Sequence, residues 1–236
     1  CHSLFLESKV MREIDLKKVS LRELNSMLQS QKENGQDNWL VRNPGGAHAL
    51  AVGLDAPINV RIEGSTGYYC AGMNKKALIR VMGSVGPGAA ENMMSGKLIV
   101  EGNASQYAGA TGHGGTLIIK GNASSRCGIS MKGINIVVQG SIGHMSAFMG
   151  QSGNIVVAGD VGDSLGDSIY EAQIFVGGSV KSLGSDCIEK EMSAQHIQLV
   201  DKLLRSSDIE GDAKDFKRFG SARKLYNFDI DNIADY

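Results

Sequence analysis

The chain has 236 residues and a formal net charge of −1, from 24 basic and 25 acidic side chains, which argues against a nucleic-acid or polybasic membrane surface as its main partner. No run of 18 apolar residues exists. The start, Cys-His-Ser-Leu-Phe-Leu-Glu-Ser-Lys, lacks the basic flank and apolar core of a secretion signal, which predicts a cytosolic protein whose partners are proteins.

Taken in order, residues 1–44 contain one helix signal. Ser20-Leu21-Arg22-Glu23 is a capping box, and Leu24, Met27 and Leu28 follow on one face, so this segment reads as an N-terminal helical cap or arm. Asn43-Pro44-Gly45-Gly46-Ala47-His48 then forms a turn, and Ala49-Leu50-Ala51-Val52-Gly53 is expected to be an extra strand leading into the next region.

Residues 45–191 are dominated by a repeat. The chain holds 31 glycines but only 3 prolines, a balance that suits tight turns between regular strands better than a linker. Gly64, Gly83, Gly102, Gly121, Gly140, Gly159 and Gly178 are spaced uniformly by 19 residues. Four and two residues before each stand core-type side chains, from Val60 and Ile62 to Ile174 and Val176, the alternation of a strand with one buried face. A small or turn-forming residue follows each glycine (Ser65, Ser84, Asn103, Asn122, Ser141, Asp160, Ser179), and a small residue recurs seven positions on, from Ala71 to Ser185. A strand and two bends at one fixed period predict an all-β fold. It is a single-stranded, right-handed parallel β-helix of seven coils with a 19-residue repeat and short helical caps at both ends. Coils spaced by about 4.8 Å make a rod of about 29 Å. A propeller needs longer repeats, and the signatures of leucine-rich repeats and hexapeptide acyltransferases are missing.

One column breaks the pattern of polar outer positions. Arg61 and Arg80 are followed at the same offset by Ile99, Ile118, Val137, Val156 and Phe175, an outward apolar stripe that something must cover. The nearest cover is a helix over Ser193–Ser206, with Ile197, Val200, Leu203 and Leu204 on one side; a partner subunit is the alternative. Residues 192–236 therefore read as a helix followed by an aromatic docking tail carrying Phe216, Phe219, Leu225, Tyr226 and Phe228. The candidate interface residues are the five apolar stripe positions together with Phe216, Phe219 and Tyr226.

Chemistry is sparse. Cys1, Cys70, Cys127 and Cys187 form no C-x-x-C pair, which argues against a metal site, and Cys70 and Cys127 fall three coils apart, too far for a disulfide. Cys1 as an amidotransferase nucleophile is disfavoured because the residues after it do not fit that chemistry. His113 and His144 sit at unequal offsets and read as turn or surface residues. The Gly-Pro-Gly stretch after Gly83 lacks the helix and Lys-Ser/Thr pair of a phosphate loop. Arg42, Arg61, Arg80 and His48 are expected near the first coil as an anion site or interface patch, with plain solvated charge as the simpler reading. The outer column of Glu63, Met82, Glu101 and Lys120 holds no acidic cluster of the kind a polysaccharide-cleaving β-helix needs. No catalytic, cofactor-binding or metal-binding residue is assigned.

Coils of the type Val-x-Ile-x-Gly-Ser-Thr-Gly, Ile-Val-Glu-Gly-Asn-Ala and Ile-Val-Val-Gln-Gly-Ser-Ile-Gly resemble the G-x-G-x-G β-helix domain at the C-terminal end of the large glutamate synthase subunit, over residues 45–191. Arg-Asn-Pro-Gly-Gly-Ala-His-Ala-Leu-Ala-Val-Gly from Arg42, Gly-Tyr-Tyr-Cys-Ala-Gly-Met-Asn from Gly67 and Phe-Lys-Arg-Phe-Gly-Ser-Ala-Arg-Lys-Leu from Phe216 are similar to the free-standing form of that domain, the β-helix subunit of N-methylglutamate synthase (methylamine-glutamate N-methyltransferase). The resemblance implies a cytoplasmic hetero-oligomer of an amidotransferase-like subunit, this β-helix and a subunit carrying FMN and an iron-sulfur cluster. Its reaction would convert methylamine and glutamate to N-methylglutamate and ammonia. In that family the β-helix bridges the other parts and holds no catalytic residue. Split glutamate synthase and the β-helix subunit of formylmethanofuran dehydrogenase, a tungsten or molybdenum enzyme, resemble the same domain and stand as alternatives.

Overall fold

A computed structural model describes residues 11–31 and 37–223. Its centre is the predicted solenoid. The strands β3 (Asn59–Glu63), β4 (Leu78–Val81), β5 (Lys97–Val100), β6 (Thr116–Ile119), β7 (Lys132–Val138), β8 (Ser152–Val157) and β9 (Gln173–Val176) pair in parallel. The register sets Val60, Ile79, Leu98, Leu117, Ile136, Ile155 and Ile174 side by side. This column and its neighbour from Ile62 to Val176 are buried and form the spine of the core. A β-branched or leucine side chain on each inward position fits the pleat, and each one buried contributes roughly 1.5–3 kcal/mol.

The opposite side of each coil is a corner of unusual backbone. Three alternate residues per coil are left-handed, as in Tyr69, Ala71, Met73 and again in Met145, Ala147, Met149. For a residue with a Cβ this conformation costs roughly 1–2 kcal/mol. Regular hydrogen bonds between coils offset that cost: the Tyr69 N–H donates to Pro87 O at 2.8 Å, Ala71 to Leu50 O at 3.0 Å and Met73 to Glu91 O at 2.9 Å. The middle residue of each trio points into the core, which is why it is always alanine or glycine through Gly166. A Cβ at Gly128 would lie 2.7 Å from Ile155 Cδ1.

Both ends depart from the sequence expectation. The parallel sheet does not begin at residue 45, because β1 (Met11–Asp15) and β2 (Asn38–Arg42) extend it on the N-terminal side. Trp39 and Val41 continue the two core columns by pairing with Val60 and Ile62. The segment expected as an extra strand, Ala49–Gly53, instead forms the corner of this added coil and stacks beneath Tyr68–Gly72. Helix α1 (Leu21–Gln29) carries the predicted capping box and buries Leu24 and Leu28 in the core. Asn25 locks it down, donating to Ala49 O at 2.8 Å and accepting from the Ala51 N–H at 2.9 Å.

At the other end, β11 (Lys217–Ser221) runs antiparallel to β9, and β10 (Cys187–Lys190) antiparallel to β11. These reversed strands terminate the solenoid, with Phe219 reaching the core. Helix α2 (Ala194–Ser206) is therefore not an end cap: it lies along the flank.

Candidate functional site

The flank is where the apolar stripe goes. Ile118, Val137, Val156 and Phe175 pack against Val200, Leu203 and Leu204 of α2, together with Ile209, Ala213 and Phe216, in a cluster separate from the main core. Ile99 packs at its margin. The candidate interface residues Ile118, Val137, Val156, Phe175 and Phe216 are thus buried within this chain, because α2 and the segment after it fold back over the sheet, and Phe219 is buried in the main core. Tyr226, Leu225, Phe228 and Cys1 lie outside the described residues.

Polar contacts hold both ends of α2. At the C-terminal end Lys120 donates to Ser207 O at 2.8 Å and to Asp208 O, placing an ammonium against carbonyls that no helical N–H satisfies. At the N-terminal end Ser193 and His196 form a reciprocal cap, and the His196 ring lies 6.0 Å from that of Phe175. Arg218 Nη1 lies against Nε2 of the same imidazole. The Ser193 N–H donates to Nδ1 at 3.0 Å, so that nitrogen carries the lone pair and the imidazole is neutral. Burial and the nearby Arg218 charge both lower the histidine's pKa.

A second feature escaped the sequence reading. The residue after each repeat glycine accepts a hydrogen bond from its counterpart one coil on: Ser84 N–H to Ser65 Oγ (3.0 Å), Asn103 to Ser84 Oγ (3.0 Å), Asn122 to Asn103 Oδ1 (2.8 Å), Ser141 to Asn122 Oδ1 (2.8 Å), Asp160 to Ser141 Oγ (3.0 Å) and Ser179 to Asp160 Oδ1 (2.7 Å). The side-chain oxygen shared by every member of the column was the available signal. This seam also explains the glycines. A Cβ at Gly121 would lie 2.4 Å from Asn103 Oδ1, so the residue is glycine for want of space rather than for a left-handed turn.

The expected basic cluster is resolved into ion pairs. Arg61 and Arg80 do stand side by side in register. However, Arg42 Nε meets Glu13 at 2.6 Å, Arg61 Nε meets Glu63 at 2.5 Å and Arg80 Nε meets Glu101 at 2.6 Å, a lattice of partly exposed pairs rather than an anion trap. His48 lies apart at a corner, stacked on Tyr68 with ring centroids 4.0 Å apart and accepting from the Tyr68 N–H at 3.1 Å. His113 and His144 are exposed on separate coils. Among the described residues no group of three or more His, Cys, Asp or Glu side chains gathers to hold a metal ion. Cys70, Cys127 and Cys187 are buried free thiols, pushed by burial to about 11, about 12 and about 11. None is a thiolate at neutral pH.

A polar cavity of about 290 Å³ opens on the outer surface where β9, β11 and β10 meet, lined by Tyr170, Gln173, Lys190, Arg218, Gly220 and Arg223 among others. In the sequence, the segment around Gly220 reads as part of an aromatic docking tail and carries a resemblance, but gives no cavity wall. The signal was present, since period-two alternation puts Arg218 and Gly220 on one face of a strand. No helix among the described residues is long and apolar enough to cross a membrane.

No protein-family profile matches the chain. Protein GlxC of Rhizobium meliloti (strain 1021) is 61% identical to it over 225 residues, an alignment that covers 94% of this chain and 99% of the relative.

Proposed function

The chain belongs to the GlxC family, and from that premise we propose that it is a non-catalytic scaffold subunit of a glutamate-synthase-type complex. Its place is between an amidotransferase-like subunit and a subunit that carries FMN and an iron-sulfur cluster. The reaction we assign to the complex is that of N-methylglutamate synthase, conversion of methylamine and glutamate to N-methylglutamate and ammonia. The G-x-G-x-G coils and the segments beginning at Arg42, Gly67 and Phe216 support that assignment by their resemblance.

The observation that carries the scaffold reading is the way the solenoid uses its own surfaces. Aliphatic columns fill the interior, α2 covers the apolar stripe, and carboxylates pair the arginines of the first coils. Nine parallel strands from β1 to β9, at about 4.8 Å each, make a stiff spacer of about 38 Å. Such a rod holds two attached subunits at a fixed separation and orientation.

The test is to isolate the chain from its native cell under gentle conditions and record the visible spectrum and subunit composition. Flavin and iron-sulfur absorbance with two further chains, and turnover that depends on methylamine, is the expected result. A colourless chain that migrates alone would sink the scaffold reading.

A further inference from the structure

We propose that the cavity beside Gly220 is a binding site for a small carboxylate. The inference is independent of the scaffold reading and starts from an electrostatic imbalance. Strands β10 and β11 set Lys190 directly opposite Arg218, and like charges in that position repel. Most of the other described arginines meet a carboxylate: Arg12 meets Asp37 at 3.2 Å, Arg42 meets Glu13 at 2.6 Å and Arg205 meets Asp201 at 2.9 Å. Arg218 meets a neutral imidazole instead, and its Nε is buried without an acceptor. No ion pair of Lys190 or Arg218 occurs among the described residues.

The space for an anion is present at the same place. Gly220 has no side chain, and even an added Cβ would have nothing nearer than Lys190 Cδ at 3.6 Å. Both cations line the cavity of about 290 Å³, which suits a molecule of a few heavy atoms. Charge selects the ligand class. Arg223 is already paired with Asp186, and Lys190 and Arg218 outnumber the carboxylate of Glu171 in the wall, so the cavity keeps a net positive charge. The planar carboxylate fork, with one oxygen for each donor, matches Lys190 and Arg218 better than tetrahedral phosphate does.

The experiment follows thermal unfolding of the full chain with succinate, and with phosphate or chloride at matched ionic strength. A saturable rise in Tm with succinate, about ten-fold more sensitive than with the other anions, is expected. Lys190→Met is expected to weaken the succinate response by about ten-fold. Gly220→Val, which fills the space and keeps both cations, is expected to weaken it equally. The carboxylate has two sources, a free small molecule or an aspartate of this chain, because the sequence beyond Arg223 contains Asp229, Asp231 and Asp235. A chain with all three changed to Asn separates them: stronger succinate binding than in the parent assigns the site to the chain's own acid, and equal binding assigns it to a free ligand. A response identical for all anions, one unchanged by Lys190→Met and Gly220→Val, or none in either the parent or the triple-Asn chain would overturn the proposal.

Discussion

Replacing Gly121 by alanine tests the packing of one coil on the next. The new Cβ would lie 2.4 Å from Asn103 Oδ1, 2.7 Å from Gly102 O and 2.9 Å from Gly102 C. Turning the Asn103 side chain away relieves only the first contact, and it removes the acceptor of the Asn122 N–H at a cost of about 0.5–1.5 kcal/mol. The other two contacts are with backbone, so the coils must part locally, which costs about 1–3 kcal/mol. Against this, alanine lowers the entropy of the unfolded chain and returns about 0.4–1 kcal/mol. The net expectation is a loss of about 2–3 kcal/mol. Urea unfolding followed by far-UV circular dichroism measures it, with Gly220→Ala as the control. There the nearest atom is 3.6 Å away and φ is not left-handed, so the change should stay within about 0.5 kcal/mol. Equal midpoints for the two variants would refute the claim that the repeat glycines are fixed by contact between coils.

Three further outcomes are expected. His196 has its pKa lowered in the folded state by burial and by Arg218, so the folded chain binds fewer protons than the unfolded one. Its contribution is complete above the ordinary value of about 6.5 and is lost as pH falls through the lower folded value; protection of the α2 amides, the observed exchange rate set against the intrinsic rate at each pH, should fall on acidification, and His196→Gln should abolish that dependence. Lys120→Met removes the ammonium from the Ser207 and Asp208 carbonyls and should loosen the C-terminal turn of α2 by about 1–2 kcal/mol, read by amide exchange at Leu203 to Ser207. Cys70 and Cys127, with thiols at about 11 and about 12, should resist a thiol reagent at pH 8 until urea opens the fold, as peptide mapping would record; rapid labelling without denaturant would show that the core columns are not closed.

The solenoid was legible because a coil that stacks on a copy of itself must repeat its constraints at every turn. The glycine, the two aliphatic positions and the small corner residue each appear as a column in the sequence. The stripe from Ile118 to Phe175 and the α2 side chains that cover it were legible for the same reason, as apolar runs at strand and helix periods. The ends were harder. Strands β1 and β2 are 27 residues apart in register and β2 and β3 are 21 apart, so neither interval continues the 19-residue period. The reversal into β11 depends on pairing across an intervening helix, which leaves no local periodic trace. Pairing of Arg42 and Arg80 was missed for another reason: Glu13 and Glu101 lie on neighbouring coils, where only register brings them into reach, whereas Arg61 pairs with Glu63 two residues along its own strand.

The docking of α2 also sets where the protein can change length. A duplicated 19-residue unit placed between β3 and β5 would lengthen the rod by about 4.8 Å and leave the side-chain columns continuous. The same insertion between β6 and β9 would not be neutral. Thirteen residues of α2 span about 20 Å, against about 14 Å from β6 to β9, and the helix is anchored at its two ends by Lys120, just after β6, and by Arg218 of β11. One added unit there would carry Lys120 away from Ser207 and detach one end of the helix. Growth or loss of whole units during descent is therefore expected in the N-terminal half, while the half beneath α2 keeps its number of turns.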